Sequence, residues 1–458
     1  MLVGPRQIEA ALSQFVDPVW KWLGSIHVSV RTGLQDDNGP TGNITEVSSP
    51  PVHQPDRTAD AGYGEPSKPE APVRVVHLIG RLSRTGGVQV VVRRLAASVD
   101  PNRIDLHIVT MRPAWDDVSD VPARVHHLGF GGSRYRLRDR VSIMWNMTQA
   151  VRRLRPDVVQ IHSGMAWLGL LARLSSPTTP FVLEVHDAPG SGRHGAWTDR
   201  FEGWCIRWLP MTAICHSSQV ATAVASYGAP ARKISQFPLA ADTESFRPRP
   251  HRVRNAWRAD NGFDPDTPIA VAVGRPANSK RIDLLVDAFA QVLINGADLR
   301  LLLVGCGDSP QIHQQVDHLG LSDVVLLSSQ LSDAEMPIAI ASCDILCSTS
   351  EYEGFGLTII EGMASGLPVV AMAVGGVRDL VSNDETGFLV PSGNTTIFTD
   401  RLRKLADSPS LRSRLGAASR LRAVERYGIE TMAESFTEVY NNLGSDTRHR
   451  ASRRTSRK

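Results

Sequence analysis

The chain has 458 residues, 42% of them apolar and 21% charged, with 50 Lys+Arg against 47 Asp+Glu and a formal net charge of +3. That length exceeds what one core serves, so two domains with additions are expected, and the near-balance of charge argues against nucleic acid as a partner. Five cysteines, odd in number and sparse, exclude a disulfide scaffold; no apolar run reaches the roughly 18–20 residues that cross a bilayer, and Glu9 and Asp17 stand where a signal peptide needs apolar residues, which leaves a cytoplasmic protein as the expectation.

In chain order, residues 1–72 read as a disordered, low-complexity extension. The stretch from Arg31 to Pro72 is rich in Pro, Gly, Asp and Ser and holds too little apolar surface to offset chain entropy. Ahead of it Ile8, Leu12, Phe15, Val19, Trp22 and Ile26 recur at three- or four-residue spacing, one apolar stripe on a short helix. Two readings of that helix stand open: a membrane interface served by Trp20, Lys21 and Trp22, or docking on its own domain. Residues 73–240 alternate strands with amphipathic helices; the strands are Val73–Gly80, Ile104–Thr110, a run from Arg124, Asp157–Ser163 and Phe181–Asp187. After a break near Phe237–Pro250 the rhythm restarts over 241–425, beginning with Pro268–Arg275. Continuous apolar strands alternating with helices indicate parallel sheets covered on both faces, so the expected class is α/β with two doubly wound, Rossmann-like domains. A terminal helix over 426–443, expected to pack back toward the N-terminal domain, and a basic, disordered tail over 444–458 complete the chain.

Ligands of doubly wound sheets bind beyond the carboxyl ends of the strands, so the residues that follow each strand carry the functional reading. After the first strand, Gly86 and Gly87 open a helix, where backbone N–H groups can approach an anion. Gly274-Arg275 ends the first strand of the second series and Lys280 follows, two cations placed as a diphosphate clamp or as a solvated loop. The richest segment is the run from Glu351 to Val381. A Gly-rich turn (Gly354, Phe355, Gly356) precedes a helix starting near Leu357, with Glu353 before the turn and Glu361 on the helix. The helix start favours phosphate, whereas two carboxylates beside it call for another partner, and sugar or ribose hydroxyls supply one. Asp264-Pro265-Asp266 precedes its strand and reads as a turn rather than a metal site, and Cys343 and Cys347 read as buried thiols.

Taken together, Gly-Gly-Val-Gln from Gly86, Gly274-Arg275 with Lys280-Arg281-Ile282-Asp283, and Glu353-Gly-Phe-Gly-Leu-Thr-Ile-Ile-Glu361 resemble the glycosyltransferases of family 4. The likeness runs from about Val73 to Leu443 and rests chiefly on the two glutamates with seven residues between them. It implies the GT-B fold, two Rossmann-like domains facing a central cleft, and a retaining transfer of a sugar from a UDP- or GDP-sugar to an acceptor hydroxyl. It implies donor-binding roles for Gly86, Gly87, Arg275, Lys280, Gly354, Phe355, Gly356, Leu357 and Glu361. His186, Arg275, Lys280 and Glu353 become the catalytic candidates, with Glu184 and Asp187 flanking His186, and His162 as a second recurrent histidine. No metal and no cofactor beyond the nucleotide-sugar are implied. The acceptor is expected to be a saccharide or a lipid-linked molecule. A basic rim of Arg134, Arg136, Arg138 and Arg140 reads either as peripheral contact with an anionic membrane or as a solvated face. Three positions depart from the family pattern: Gln89 after the glycine pair, Pro238-Leu239-Ala240-Ala241 at the domain boundary, and Arg281 after the clamp lysine. Two rival readings are a different GT-B enzyme, an epimerase or phosphorylase, and a non-catalytic binding module; the glutamate pair with its cationic clamp argues against both.

Overall fold

A computed structural model of the chain describes residues 45–47, 71–83, 86–112, 118–129, 137–163, 172–173, 176–187, 196–209 and 211–455. The described residues all fall within one compact unit. The apolar stripe from Ile8 to Ile26 lies outside the described residues, as do Arg134 and Arg136, and the side chains of Arg138 and Arg140 are likewise outside them.

The first half carries an eight-stranded sheet: β1 (Thr45–Val47), β2 (Val73–Ile79), β3 (Ile104–Thr110), β4 (Arg124–His127), β5 (Val158–His162), β6 (Phe181–Val185), β7 (Met211–Cys215) and β8 (Ile234–Gln236), in the spatial order β1-β4-β3-β2-β5-β6-β7-β8. All neighbours run parallel except β1 against β4. Helices α1 (Gly87–Ser98), α2 (Leu137–Leu154), α3 (Ala196–Trp208) and α4 (Ser218–Ser226) connect them. β2 reads as an unbroken apolar run because both its faces are covered. Val75 joins Val91 and Leu95 on one side, and Val76 and Leu78 join Ile143 and Met147 on the other.

The second half begins with α5 (His251–Asp260) and builds a six-stranded parallel sheet from β9 (Ile269–Val273), β10 (Arg300–Val304), β11 (Val325–Ser328), β12 (Ile345–Ser348), β13 (Val369–Met372) and β14 (Gly387–Val390), ordered β11-β10-β9-β12-β13-β14. Its helices are α6 (Ile282–Ile294), α7 (Pro310–His318), α8 (Glu335–Ser342), α9 (Leu357–Ala364), α10 (Val377–Leu380), α11 (Thr395–Ala406) and α12 (Pro409–Arg426). Strand order reverses between β2 and β5 in one sheet and between β9 and β12 in the other, the two places where such sheets open a ligand crevice. The last helix, α13 (Ile429–Thr455), returns to pack on α1, β2 and β5, burying Phe436 and Tyr440 completely. Among the described residues no helix is long and apolar enough to cross a membrane.

Several expectations are adjusted. The basic run expected as a disordered tail continues α13 as far as Thr455, in line with a stretch that has no proline and is rich in the good helix former arginine. Within the extension expected to be disordered, Thr45–Val47 pairs antiparallel with Val125–His127 and so covers an exposed sheet edge. β7, β8 and β14 were not separately legible, being only three to five residues long. Asp264 accepts hydrogen bonds from the backbone N–H groups of Asp266 (2.8 Å) and Thr267 (3.2 Å), the geometry of a turn. All five cysteines are free and buried.

Candidate active site

In the second half the residues after β9 and β12 are tied together by the backbone. The Thr349 hydroxyl donates to the carbonyl of Arg281 (2.8 Å), and the Glu351 N–H donates to the carbonyl of Ser279 (2.9 Å). That stapling brings the Lys280 ammonium 2.5 Å from Glu353 Oε2, with both side chains mostly buried. Arg281, which replaces a glycine of the family pattern, adopts φ 46°, a left-handed conformation that costs a non-glycine residue about 1–2 kcal/mol. Its guanidinium meets Asp283 at 2.9 Å and also pairs with Glu351, which offsets the strain. Arg275 is exposed, and its side chain makes no ion pair or hydrogen bond among the described residues.

The turn from Glu353 to Leu357 is held by close backbone contact. The Gly376 N–H donates to the Glu353 carbonyl (2.9 Å), and a Cβ on Gly375 would overlap that oxygen. Gly356, at φ 107°, starts α9 and leaves its first N–H groups open. Phe355 is buried, its ring edge-on to His216 and Tyr427 at centroid distances of 6.4 and 6.3 Å, so its backbone rather than its ring is what it offers a ligand. Glu361 lies on α9 and pairs at 2.5 Å with Arg94 of α1, whose other nitrogen donates to the carbonyl of Ala240 (2.9 Å). Burial pushes the Glu361 carboxyl up, while Arg94 pulls against that rise.

The first half answers across the cleft. Gly86, at φ 102°, precedes α1, and Gly87 faces Leu357 of α9. Gly354 sits so close to the backbone of His186 that a Cβ there would overlap the His186 carbonyl oxygen. The structure therefore gathers Gly87, His186, Gly354 and Leu357 along one seam, with Lys280, Glu353 and Glu361 opening from its second-half side. Asp379 of α10 reaches over the seam and accepts from the N–H and the hydroxyl of Ser218, each at 2.7 Å, at the start of α4. A cavity of about 430 Å³ beside this contact is lined by Ser218, Thr222, Gly375 and Arg378.

Beneath His186 lies a buried polar cluster. Nε2 of His186 is 3.0 Å from Nδ1 of His162, and Glu184, wholly buried, accepts from Nε2 of His216 at 2.9 Å. Burial alone would raise the Glu184 carboxyl, but His186, His162 and the His216 hydrogen bond hold it well below the usual carboxylate range. Burial lowers His77, His162 and His186 to about 4, so all three are neutral near pH 7. One donor atom from each of His162, Glu184 and His186 lies within 4.8 Å of the others, a spacing that a metal ion could bridge. The sequence reading missed His216, Arg94 and Tyr440. His216 had a signal: β5, β6 and β7 each finish in or next to a histidine, at positions 162, 186 and 216. Arg94 had none, being one of two adjacent arginines on an amphipathic helix.

This pair of facing parallel sheets with a crevice at each switch point is the GT-B fold. Solved structures with the same fold include sucrose-phosphate synthase from Thermosynechococcus elongatus, 21% identical with a TM-score of 0.70 over 81% of this chain and 99% of that one. Another is Anabaena Alr3699/HepE in complex with UDP, 20% identical with a TM-score of 0.68 over 81% of this chain and all of that one. Residues 85–245 match the model of Glycosyltransferase Family 4, and residues 253–422 match that of Glycosyl transferases group 1. The chain belongs to the group 1 glycosyltransferases of family 4. Over 236 residues it is 32% identical to an MMP alpha-(1->4)-mannosyltransferase of Mycolicibacterium hassiacum, a match covering 51% of this chain and 54% of that relative, so the chain spans about half the length of that protein. Over 387 residues it is 26% identical to a D-inositol 3-phosphate glycosyltransferase of Pseudarthrobacter chlorophenolicus, covering 78% of this chain and 90% of the relative.

Proposed function

We propose that the chain is a retaining glycosyltransferase that moves a sugar from a nucleotide-sugar, UDP- or GDP-linked, to a hydroxyl of a saccharide or lipid-linked acceptor in the building of a polysaccharide or glycolipid. The observation that carries this reading is the Lys280–Glu353 pair, 2.5 Å apart at the mouth of α9 and opposite the seam where Gly354 meets His186. A cation and a carboxylate at one helix start suit a diphosphate and the sugar attached to it.

In the proposed reaction the bond between the anomeric carbon and the diphosphate oxygen breaks, and its electron pair stays on the diphosphate. Lys280, Arg275 and the open N–H groups of α9 and α1 offset that charge, an electrostatic contribution of several kcal/mol in enzymes generally. Glu353 accepts hydroxyls of the sugar and Glu361 those of the ribose. The acceptor hydroxyl attacks from the face the diphosphate leaves, passing its proton to a diphosphate oxygen, so the anomeric configuration is kept. His186 orients the sugar. Neither a metal nor a further cofactor is part of this scheme. The enzyme would work in the cytoplasm or at the cytoplasmic face of a membrane. Steady-state kinetics and calorimetric titration test the assignment: Glu361→Ala should weaken nucleotide binding about a hundredfold or more, the cost of two charge-assisted hydrogen bonds, whereas Lys280→Ala should lower turnover more than binding. Wild-type behaviour in both variants would overturn it.

A further inference from the structure

The buried side chains behind His186 form one hydrogen-bond chain drawn from five elements. The Tyr440 hydroxyl, on α13, donates to Gln160 Oε1 at 2.7 Å and lies 2.9 Å from His77 Nε2. The Gln160 amide nitrogen donates to Glu184 Oε2. Glu184 Oε1 faces His216 Nε2 at 2.9 Å, while His216 Nδ1 faces the Phe237 carbonyl at 3.0 Å. His162 Nδ1 lies 3.3 Å from Glu184 Oε2 and 3.0 Å from His186 Nε2.

Hydrogens can be placed on this chain from its acceptors alone. Because the Tyr440 proton goes to Gln160, the tyrosine oxygen accepts from His77, whose hydrogen is then on Nε2; its Nδ1, buried and without a partner among the described residues, is a bare lone pair. His162 Nδ1 faces a carboxylate oxygen, so it carries the hydrogen, and its buried Nε2, again without a partner among the described residues, stays bare. The opposite placement would set two lone pairs against each other and bury an unpaired N–H. Glu184 Oε1 lies 3.6 Å from His186 Nε2, beyond hydrogen-bond reach, whereas His162 Nδ1 is at 3.0 Å, so what remains for His186 is an Nε2 that accepts from His162 and a hydrogen on Nδ1.

We infer that Glu184, held by the Gln160 amide that Tyr440 of the returning terminal helix orients, sets the His162 hydrogen and through it fixes His186 as the neutral Nδ1–H tautomer, and that Tyr440, Gln160, Glu184 and His162 are positioning residues for it. The consequence for transfer rests on the proposed role of His186; the tautomer itself does not. His186 then meets the donor sugar as a hydrogen-bond donor of set orientation, and α13 is part of the catalytic apparatus as well as a structural strap.

The test is nitrogen-15 NMR of the full-length protein labelled at histidine, without nucleotide, with the His186 and His162 signals assigned by loss in His186→Gln and His162→Gln. The expected spectrum shows His186 and His162 both as Nδ1–H tautomers near pH 7. Tyr440→Phe and, from the other side of the same link, Gln160→Met should turn His186 into a mixture of tautomers. Where transfer is measurable, they should lower kcat about tenfold while leaving the donor KM within about twofold. His186 as the Nε2–H form or as imidazolium in the wild type, or unchanged tautomers in both variants, would overturn the inference. So would His162 as Nε2–H together with one equivalent of a transition metal by mass spectrometry, which would assign the cluster to metal binding. Because the spectra need no substrate, a wrong reading of the overall reaction would leave them standing, and the two failures can be told apart.

Discussion

Replacing Arg94 with Met keeps most of the apolar stem and removes the guanidinium 2.5 Å from Glu361, in a pair whose side chains are 15% and 10% exposed. Breaking a buried pair from one side typically costs about 3–5 kcal/mol, because a charge is left without a partner. Here the carboxyl has a way out, since it can take up a proton. With an ordinary value of 4.5, protonating it at pH 7 costs about 1.36 × 2.5, or roughly 3.4 kcal/mol, and at pH 5.5 only about 1.4 kcal/mol. Those figures are ceilings on the electrostatic part of the deficit. The sign follows from the direction of the shift. A carboxyl raised in the folded state contributes stability that is present below the unfolded value and is lost as pH rises through the folded one, and removing Arg94 raises it further. Urea unfolding of wild type and Arg94→Met at both pH values is the assay. The expected deficit of the variant shrinks by up to about 2 kcal/mol between pH 7 and pH 5.5. An equal deficit at both, or none at pH 7, would refute the reasoning.

Other outcomes follow from the same geometry. His77, His162 and His186 have folded values near 4 against 6.5, so the stability they contribute above pH 6.5 should be lost as pH falls toward 4; the first proton alone should cost about 2 kcal/mol at pH 5, and an unfolding free energy flat from pH 7 to 5 would contradict this. Arg258 is 3% exposed and 2.6 Å from Asp344; Arg258→Met should cost about 3 kcal/mol, the low end for a broken buried pair, because Arg254 still holds Asp344 at 2.7 Å, and a loss under 1 kcal/mol by denaturant titration would count against it. Gly354→Ala places a Cβ on the His186 carbonyl, which should push the seam apart and cut transfer about a hundredfold; wild-type kinetics in that variant would show the seam has room.

Much of the fold was legible because the two sheets are parallel and buried on both faces, which writes strands as unbroken apolar runs such as Val73–Ile79 and Arg300–Val304. The short strands β8 and β14 were not, since three or four residues around Gly387 or Ser235 carry no periodicity of their own and are recruited by their neighbours. Of the site, the local parts could be read: a glycine turn before a helix, flanked by two glutamates. What pairs across the cleft could not, because Arg94 and Glu361 stand 267 residues apart and nothing in either segment names the other. Tyr440 was hidden for the same reason, its role set 280 residues from Gln160 by the return of α13.

The central claim is transfer from a nucleotide-sugar with retention at this cleft. It is tested most directly by incubating the full-length protein with a panel of UDP- and GDP-sugars and saccharide or lipid-linked acceptors, and following nucleoside diphosphate release and the anomeric proton of the product by NMR. The expected result is release from one donor class, a product with the donor's anomeric configuration, and loss of about two orders of magnitude or more in Lys280→Ala. An inverted product, or a Lys280→Ala variant that releases nucleotide as fast as the wild type, would contradict it.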